Sequence, residues 1–542
     1  MERPSSTSSL PRVTLAELAR LLEGRGVSAR CEPADTAAHV QGMTVDSREV
    51  RPRNLFVCKG AAFRPAFLAS AVEAGAAAYL CSDDPELLAE LTAAAPTCPR
   101  LVVSDVRRAM ALVAPAIYDH PERALTVCGI TGTKGKSTVA YMLRSILLAS
   151  GDVPSILGSI ETDDGVESYE SHNTTPEAPE LWRHLRNTVD AGRTRMVMEV
   201  SSQGLKYDRV LGLPFDIACF LNIGRDHISS VEHPTFEDYF ASKLRIFEHA
   251  ETAVVNLATE HVDAVLAAAS HAQRLVTVRA CHENGTGNDA KNTSEAAGAT
   301  SSTTTGAVIP TFEAKDIRST AAGLAFDVLE RDASGALVAS TSIALGMAGL
   351  FNVDNALAAI ACAHLMGVDY AAIAAGLAHV RVPGRMELVP SPDGKVLAIV
   401  DYAHNELSFE TLFSSVKREY PGRRVIALFG APGGKAQERR EALPRVASKY
   451  ADLIIYTEED PAHERVEDIC AELAANTPAG VAHKIICDRE QAVSAAIEAG
   501  REAPEGAVVL LLAKGDETRQ HRGDDYPEVE SDLSIARRLL SD

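Results

Sequence analysis

The sequence predicts an α/β protein of three domains: a small N-terminal α/β domain, a central P-loop-type ATPase domain on a parallel sheet, and a C-terminal doubly wound, Rossmann-like domain. Three observations carry this prediction. The 542 residues exceed what one core serves, at roughly 150 residues per domain. From Leu125 onward, short apolar runs alternate with Gly-rich turns and amphipathic stretches, the rhythm that lays helices over a parallel sheet. One of those turns, Gly129-Ile130-Thr131-Gly132-Thr133-Lys134-Gly135-Lys136-Ser137-Thr138, leaves an apolar run and opens a helical pattern.

In the first domain, taken as 1–108, Leu55-Phe56-Val57 and Ala77-Ala78-Tyr79-Leu80 read as strands, with a helix from Phe67 to Ala74 between them. In the second, 109–381, TVCGI, RMVMEV and DIACFLN read as buried parallel strands, and Ser137 to Leu148 as a crossover helix. Residues 282–306 are rich in Gly, Ser, Thr and Asn and are expected to form a disordered surface insertion, since they bury too little apolar surface to offset ordering. Strands near Phe326 to Leu329 and Ala336 to Ala344 and a helix from Val353 to Met366 follow, then a hinge at Val382-Pro383-Gly384. In the third domain, 382–542, VLAIVDYAH, RRVIALFG, ADLIIYTEE and AVVLLLAKG alternate with helical stretches.

Composition narrows the function classes. Hydrophobic residues make up 46% and charged residues 23%, ordinary for a globular protein. Lys+Arg number 53 against 74 Asp+Glu, a net charge of −21 that argues against nucleic acid as the main partner. No apolar run approaches the roughly 18 residues of a membrane span, and the first residues lack a secretory pattern. The 10 cysteines include no C-x-x-C pair, which disfavours zinc and disulfide frameworks. A cytoplasmic monomer is the expectation.

The Gly-rich turn is a phosphate loop by its chemistry. Backbone N–H groups at a helix N-terminus hold phosphate oxygens, Lys136 neutralises β/γ-phosphate charge, and the Ser137 hydroxyl suits Mg²⁺. Gly132, Thr133, Lys134, Gly135 and Thr138 complete the loop; the usual spacing asks for Gly at 130, where this chain has Ile.

The spelling GTKGKS resembles the ATP loop of the Mur ligases, which join amino acids onto the peptidoglycan precursor. His172-Asn173-Thr174-Thr175-Pro176-Glu177, Glu199-Val200-Ser201-Ser202 and Asn222-Ile223-Gly224-Arg225-Asp226-His227 follow in the order of the MurE branch. So do Gly349-Leu350-Phe351-Asn352-Val353-Asp354-Asn355, Val382-Pro383-Gly384-Arg385-Met386-Glu387, Asp401-Tyr402-Ala403-His404 and Lys514-Gly515-Asp516-Glu517-Thr518, with Asp46-Ser47-Arg48 near the start.

The resemblance implies activation of a carboxylate by ATP to an acyl phosphate, followed by attack of an amine. It makes Lys136, Glu199, His227 and Lys243 the catalytic set. Ser137 and Glu199 would ligate one Mg²⁺ and His227 a second, with Lys243 carbamylated into a further ligand. Asn352 and Asn355 would lie near adenine, with helix capping as their alternative role. Asp401 would take ribose hydroxyls, Arg385 phosphate or ribose, and His404 would lie close by. Ser47 would contact the uridine end of a UDP-N-acetylmuramoyl dipeptide, and Thr174, Thr175, Ser201 and Arg209 its sugar-peptide arm. Gln203, where the family often has His, and Ile228-Ser229, in place of the frequent Leu-Asp, are departures in this region.

For the incoming amino acid, family members that add meso-diaminopimelate carry D-N-P-R, whose arginine grips the distal carboxylate. This chain has Glu459-Asp460-Pro461-Ala462, in which Ala462 cannot pair a carboxylate. The acids at 458–460, Asp460 among them, and Glu517 suit amino groups instead, with a solvated strand end as the alternative for 458–460. L-Lysine, or the shorter L-ornithine, is therefore expected over diaminopimelate. Arg439 and Arg440 would bind the α-carboxylate or lie on a helix surface. The competing readings are a diaminopimelate-adding ligase, a folate polyglutamylating ligase, against which Asp46-Ser47-Arg48 and Asn173-Thr174-Thr175-Pro176 argue, and a Mur-like binding or regulatory protein without catalysis.

Overall fold

A computed structural model describes residues 10–60, 62–171, 173–225, 228, 232–282, 308–320 and 322–541. Compactness divides the chain into two units: Met1–Val278 with Ala358–Asp369, and Arg279–Leu357 with Tyr370–Asp542. The expected insertion at 282–306 lies outside the described residues, save His282.

The first unit opens on a helix, Leu15–Glu23, whose start is fixed by a reciprocal cap: Thr14 Oγ1 accepts from the Glu17 amide, and the Glu17 carboxylate accepts from the Thr14 amide. A five-stranded sheet follows in the order Ala29–Glu32, Arg100–Val103, Ala78–Ser82, Leu55–Val57, Met43–Thr44, parallel except at its first pair. The helix foreseen at Phe67 to Ala74 spans Pro65–Glu73, with its proline in the first turn.

A second sheet in this unit carries the phosphate loop. Ser155–Leu157, Arg195–Glu199, Thr126–Thr131, Phe215–Phe220, Ala250–Asn256 and Arg274–Ala280 run parallel in that order. The central strands are buried along almost their whole length and mostly apolar, as strands covered on both faces are. Contrary to a purely parallel sheet, an antiparallel hairpin, Glu161–Asp163 with Ser168–Glu170, closes its edge.

In the second unit the segment after the insertion forms an antiparallel meander of Phe312–Thr320, Gly323–Arg331 and Leu337–Leu345. These strands alternate buried and exposed residues, and Asp332 Oδ1 takes the Ser334 and Ala336 amides to close their turn. The remaining sheet runs Glu387–Pro390, Val396–Asp401, Ala507–Leu512, Arg424–Phe429, Leu453–Tyr456, His483–Ile485. Only its first strand is antiparallel. Helices between these strands, such as Glu406–Glu419 and Arg489–Arg501, give the doubly wound pattern read from the sequence. Ligands in such sheets occupy the crevice beyond the strands' carboxyl ends.

Candidate active site

The strand Thr126–Thr131 ends at the phosphate loop, and the helix Lys136–Ala149 begins directly after it. Ile130, which stands where a glycine was expected, is still a strand residue, fully buried beside Glu199 and Cys219. Gly135 takes φ 88°, a conformation that strains any side chain, and so makes the turn into the helix. Asn222 braces the loop from the neighbouring strand's end. Its Oδ1 accepts the Lys134 amide at 2.9 Å, its Nδ2 donates to the Lys134 carbonyl at 3.1 Å, and its carbonyl accepts the Thr133 amide at 3.0 Å. Thr133 Oγ1 accepts the Gly224 amide and meets the Tyr239 hydroxyl, both at 3.0 Å.

Two ammonium groups converge on this loop. Lys136 Nζ donates to the Gly132 carbonyl at 3.0 Å, and Lys243 Nζ donates to the same oxygen at 2.9 Å. Lys243 stands on the helix Phe236–Leu244 and is only 1% exposed, so the lysine singled out far along the chain belongs to the loop.

Glu199 ends its strand almost fully buried. Its Oε1 accepts the Ser159 amide at 2.8 Å and the Ser159 hydroxyl at 3.3 Å, and that hydroxyl meets Ser137 Oγ at 3.0 Å. Ser159 thus joins Ser137 to Glu199, a role the sequence reading missed. The signal lay in the adjacent glycine: a Cβ on Gly158 would stand 2.5 Å from Glu199 Oε1, so only glycine lets the carboxylate approach. The hydroxyl of Ser137 and the carboxylate of Glu199 are hard oxygen donors of the kind Mg²⁺ selects. His227 lies outside the described residues, as do Asp226 and His172.

Thr175, Ser201 and Arg209 cluster behind Glu199. Thr175 Oγ1 donates to the Glu199 carbonyl at 3.0 Å and accepts the Ser201 amide at 2.9 Å. With no exposed surface, Thr175 acts here as a strut. Ser201 Oγ accepts the Gly204 amide at 3.0 Å, capping the helix Ser202–Lys206. Arg209 donates to the Thr175 carbonyl at 2.9 Å and pairs with Glu177, which also takes Lys59, a cation the sequence reading did not single out. Thr174 is half-buried, and Ser47 begins the single turn Ser47–Glu49, which Asp46 caps.

The remaining expected nucleotide contacts fall in the second unit. Asn352 opens the helix Asn352–Leu365 and donates to the Ala348 carbonyl at 2.7 Å, while Asn355 Nδ2 donates to Asn352 Oδ1 at 2.8 Å. Asp401 accepts the Met386 and Ala403 amides at 2.9 and 2.7 Å, which fixes the hinge against its strand. The Arg385 guanidinium lies 4.4 Å from the Tyr402 ring centre, and the His404 ring stands edge-on to the same tyrosine. His404 Nδ1 lies 2.7 Å from the Tyr402 carbonyl.

The acidic segment after the strand Leu453–Tyr456 is already largely paired. Glu458 receives a two-pronged bond from Arg522 at 2.7 and 2.6 Å. Asp460 and Glu517, both expected to hold amino groups, share Lys514, at 2.9 and 2.7 Å. Glu459 differs: among the described residues its buried Oε2 has no hydrogen-bond partner, and burial pushes its carboxyl up to about 7 against the pull of Arg439 and Arg489. Arg440 is likewise spoken for, pairing with Glu472 and Glu464 and donating to the Pro432 carbonyl. Of the two arginines considered for the α-carboxylate, Arg439 is the one whose charge acts on Glu459. Ala462 takes φ 50°, its backbone held by His521 and Gly523.

Two stretches of the chain match known family models. Residues 130–363 match the Mur ligase middle domain, and residues 384–515 match the Mur ligase, glutamate ligase domain. A UDP-N-acetylmuramyl-tripeptide synthetase of Lactobacillus delbrueckii subsp. bulgaricus is 36% identical over 93% of this chain and 94% of its own length. The chain belongs to the Mur ligase family. A UDP-N-acetylmuramoyl-L-alanyl-D-glutamate--L-lysine ligase of Enterococcus faecalis is 33% identical, covering 93% of this Mur ligase and 92% of its own length. Among solved structures, a UDP-N-acetylmuramoyl-L-alanyl-D-glutamate--2,6-diaminopimelate ligase superposes with TM-score 0.63 at 22% identity, covering 98% of this chain and 99% of that one. The MurF ligase of Thermotoga maritima in complex with ADP gives 0.55 at 18% identity, over 92% and 96%. At these identities the two structures show the shared Mur ligase fold.

Proposed function

We propose that this Mur ligase is an ATP-dependent amide ligase that adds L-lysine, with L-ornithine as the nearest rival, to UDP-N-acetylmuramoyl-L-alanyl-D-glutamate in the cytoplasm, acting as a monomer. Residues 1–108 take the UDP end, 109–381 the ATP, and 382–542 the amino acid. The observation that carries the reading is the convergence of Lys136 and Lys243 on the Gly132 carbonyl, beside the Ser137–Ser159–Glu199 chain. The names of the lysine-adding and tripeptide-forming relatives support the choice of reaction.

The chemical task is to bring a carboxylate to the γ-phosphate, two anions that repel. Loop amides and Lys136 draw charge off the transferring phosphoryl group. The carboxylate of the sugar-linked D-glutamate attacks phosphorus, ADP departs, and the acyl phosphate forms. The neutral amine of the amino acid then attacks the acyl carbon and phosphate leaves. Ser137 and Glu199 would hold Mg²⁺, which supplies charge neutralisation between the two anions; His227 would serve a second ion. Lys243 would react with CO₂, its amine adding to carbon with loss of a proton, and so become an anionic ligand in place of a competing cation. Asn352, Asn355, Arg385, Asp401 and His404 would hold adenine and ribose, and Ser47, Thr174, Ser201 and Arg209 the nucleotide-sugar arm.

Specificity for an ammonium rather than a distal carboxylate would follow from Ala462, which offers no cation, and from Glu459, which has a carboxyl oxygen without a partner among the described residues. Asp460 and Glu517 would act through Lys514, positioning the crevice rather than gripping the substrate amine. Phosphate release with each amino acid, with and without the nucleotide sugar, tests this: release must need both. No release with any acceptor would favour a Mur-like binding or regulatory protein without catalysis.

A further inference from the structure

The second unit contains a cavity of about 700 Å³, of whose lining the ligase reading uses only Arg385. It lies between the meander's first turn at Thr320 and Ala322, the hinge at 380–388, and the end of the helix Glu406–Glu419. Its size is that of a small-molecule site. Four arginines line it, Arg381, Arg385, Arg423 and Arg537, against two carboxylates, Glu387 and Glu419. In a chain with net charge −21 such a local excess of cations is a focused field for an anion.

The two carboxylates are engaged in holding the fold. Glu419 accepts the Gly349 and Leu350 amides, each at 3.0 Å, and the Ser415 hydroxyl at 2.6 Å. Glu387 accepts the Gly384 amide at 2.9 Å. Among the described residues, only Arg537 of the four has a carboxylate within ion-pair distance, Glu387 at 3.5 Å. Arg423 donates to the Gly394 carbonyl at 2.7 Å and Arg385 to that of Gly384 at 3.3 Å, contacts that leave each guanidinium further donors. The other walls are apolar, from Met347, Val382, Leu388, Leu397 and the ring of Tyr420.

From this we propose that the cavity binds a small phosphate monoester carrying a flat apolar group, and that its occupancy weakens nucleotide binding. The guanidinium forks suit phosphate oxygens, and the apolar walls suit the body of the ligand. The link to the nucleotide passes through Arg385, which lines the cavity, and through Glu419, which holds the turn leading into Asn352. That link rests on the nucleotide roles proposed above; the binding site itself does not.

The test is calorimetric titration of the whole protein with 1-naphthyl phosphate. One molecule should bind per chain. Arg423→Ser/Arg537→Ser should weaken binding at least tenfold, while Arg423→Lys/Arg537→Lys, which keeps charge, should lose less. Lys136→Ala should leave probe binding unchanged, because the phosphate loop is a different site. No binding to the native protein at millimolar probe, loss of binding in Lys136→Ala, or unaltered binding in the serine variant would each overturn the proposal. Bound probe should also raise the KM for ATP several-fold. If the probe binds as described and the KM for ATP does not move, the coupling is wrong and the site stands. Absence of ligase activity would count against the proposed function and leave the binding result to be judged alone.

Discussion

Lys136 and Lys243 donate to one carbonyl oxygen, that of Gly132, at 3.0 and 2.9 Å. Lys136 Nζ also donates to the Thr133 carbonyl at 3.4 Å, and Lys243 Nζ lies 4.9 Å from the Tyr239 ring centre. On the proposed function, Lys136 would pair with a nucleotide's phosphates and Lys243 would be converted to a carbamate.

Lys136→Ala is expected to lower kcat/KM by at least a hundredfold, the scale of losing one charge-stabilising group at a transferring centre. Circular dichroism should show an unchanged fold. Near-native turnover would remove the phosphate-loop assignment.

Lys243→Ala should be similarly inactive, yet partly restored by millimolar acetate, which supplies the missing anion. The native enzyme should lose activity on removal of bicarbonate and CO₂ and regain it on their return. A lysine acting only as a cation would respond to neither treatment.

Ser159→Ala cuts the link between Ser137 and Glu199. Groups that orient metal ligands typically contribute about 10–100-fold in metal affinity. The Mg²⁺ concentration for half-maximal activity should rise within that range, and the KM for the amino acid should stay put. Gly158→Ala, which sets a methyl against Glu199 Oε1, should do at least as much harm.

Glu459 has its protonation raised to about 7 by burial. A carboxyl raised on folding binds its proton more tightly in the native state, so stability is greatest below its unfolded value near 4.5 and falls as pH rises through 7. Denaturant titrations from pH 4.5 to 7.5 should show Glu459→Gln flattening that decline. The same variant should raise the KM for lysine about tenfold with little change in that for ATP, because the amide has no charge for an ammonium.

Much of this was legible in the sequence because the chemistry sits on local patterns. A phosphate loop is spelled by consecutive residues, and buried parallel strands are continuous apolar runs, so the Thr126–Thr131 strand and Lys136–Ala149 helix were readable within a residue or two. What escaped depends on pairing across distance. Asp460 and Glu517 were expected to hold amino groups, and Lys514, which pairs with both, was not foreseen. Arg440 looks available until Glu464 and Glu472 arrive from other segments. Ser159 has no spacing signature at all, since its role comes from a glycine that lets Glu199 come close. The antiparallel meander over 312–345 was seen only as two strands because its first strand directly follows the low-complexity stretch.

The central claim is that the amine accepted is that of a diamino acid without a distal carboxylate. Its most direct measurement is nucleotide-sugar-dependent phosphate release with L-lysine, L-ornithine and meso-diaminopimelate at equal concentration, for the native enzyme and for Ala462→Arg. The account predicts that lysine is the best substrate, that diaminopimelate is at least tenfold poorer, and that the arginine variant narrows this gap. Equal or preferred use of diaminopimelate by the native enzyme would contradict it.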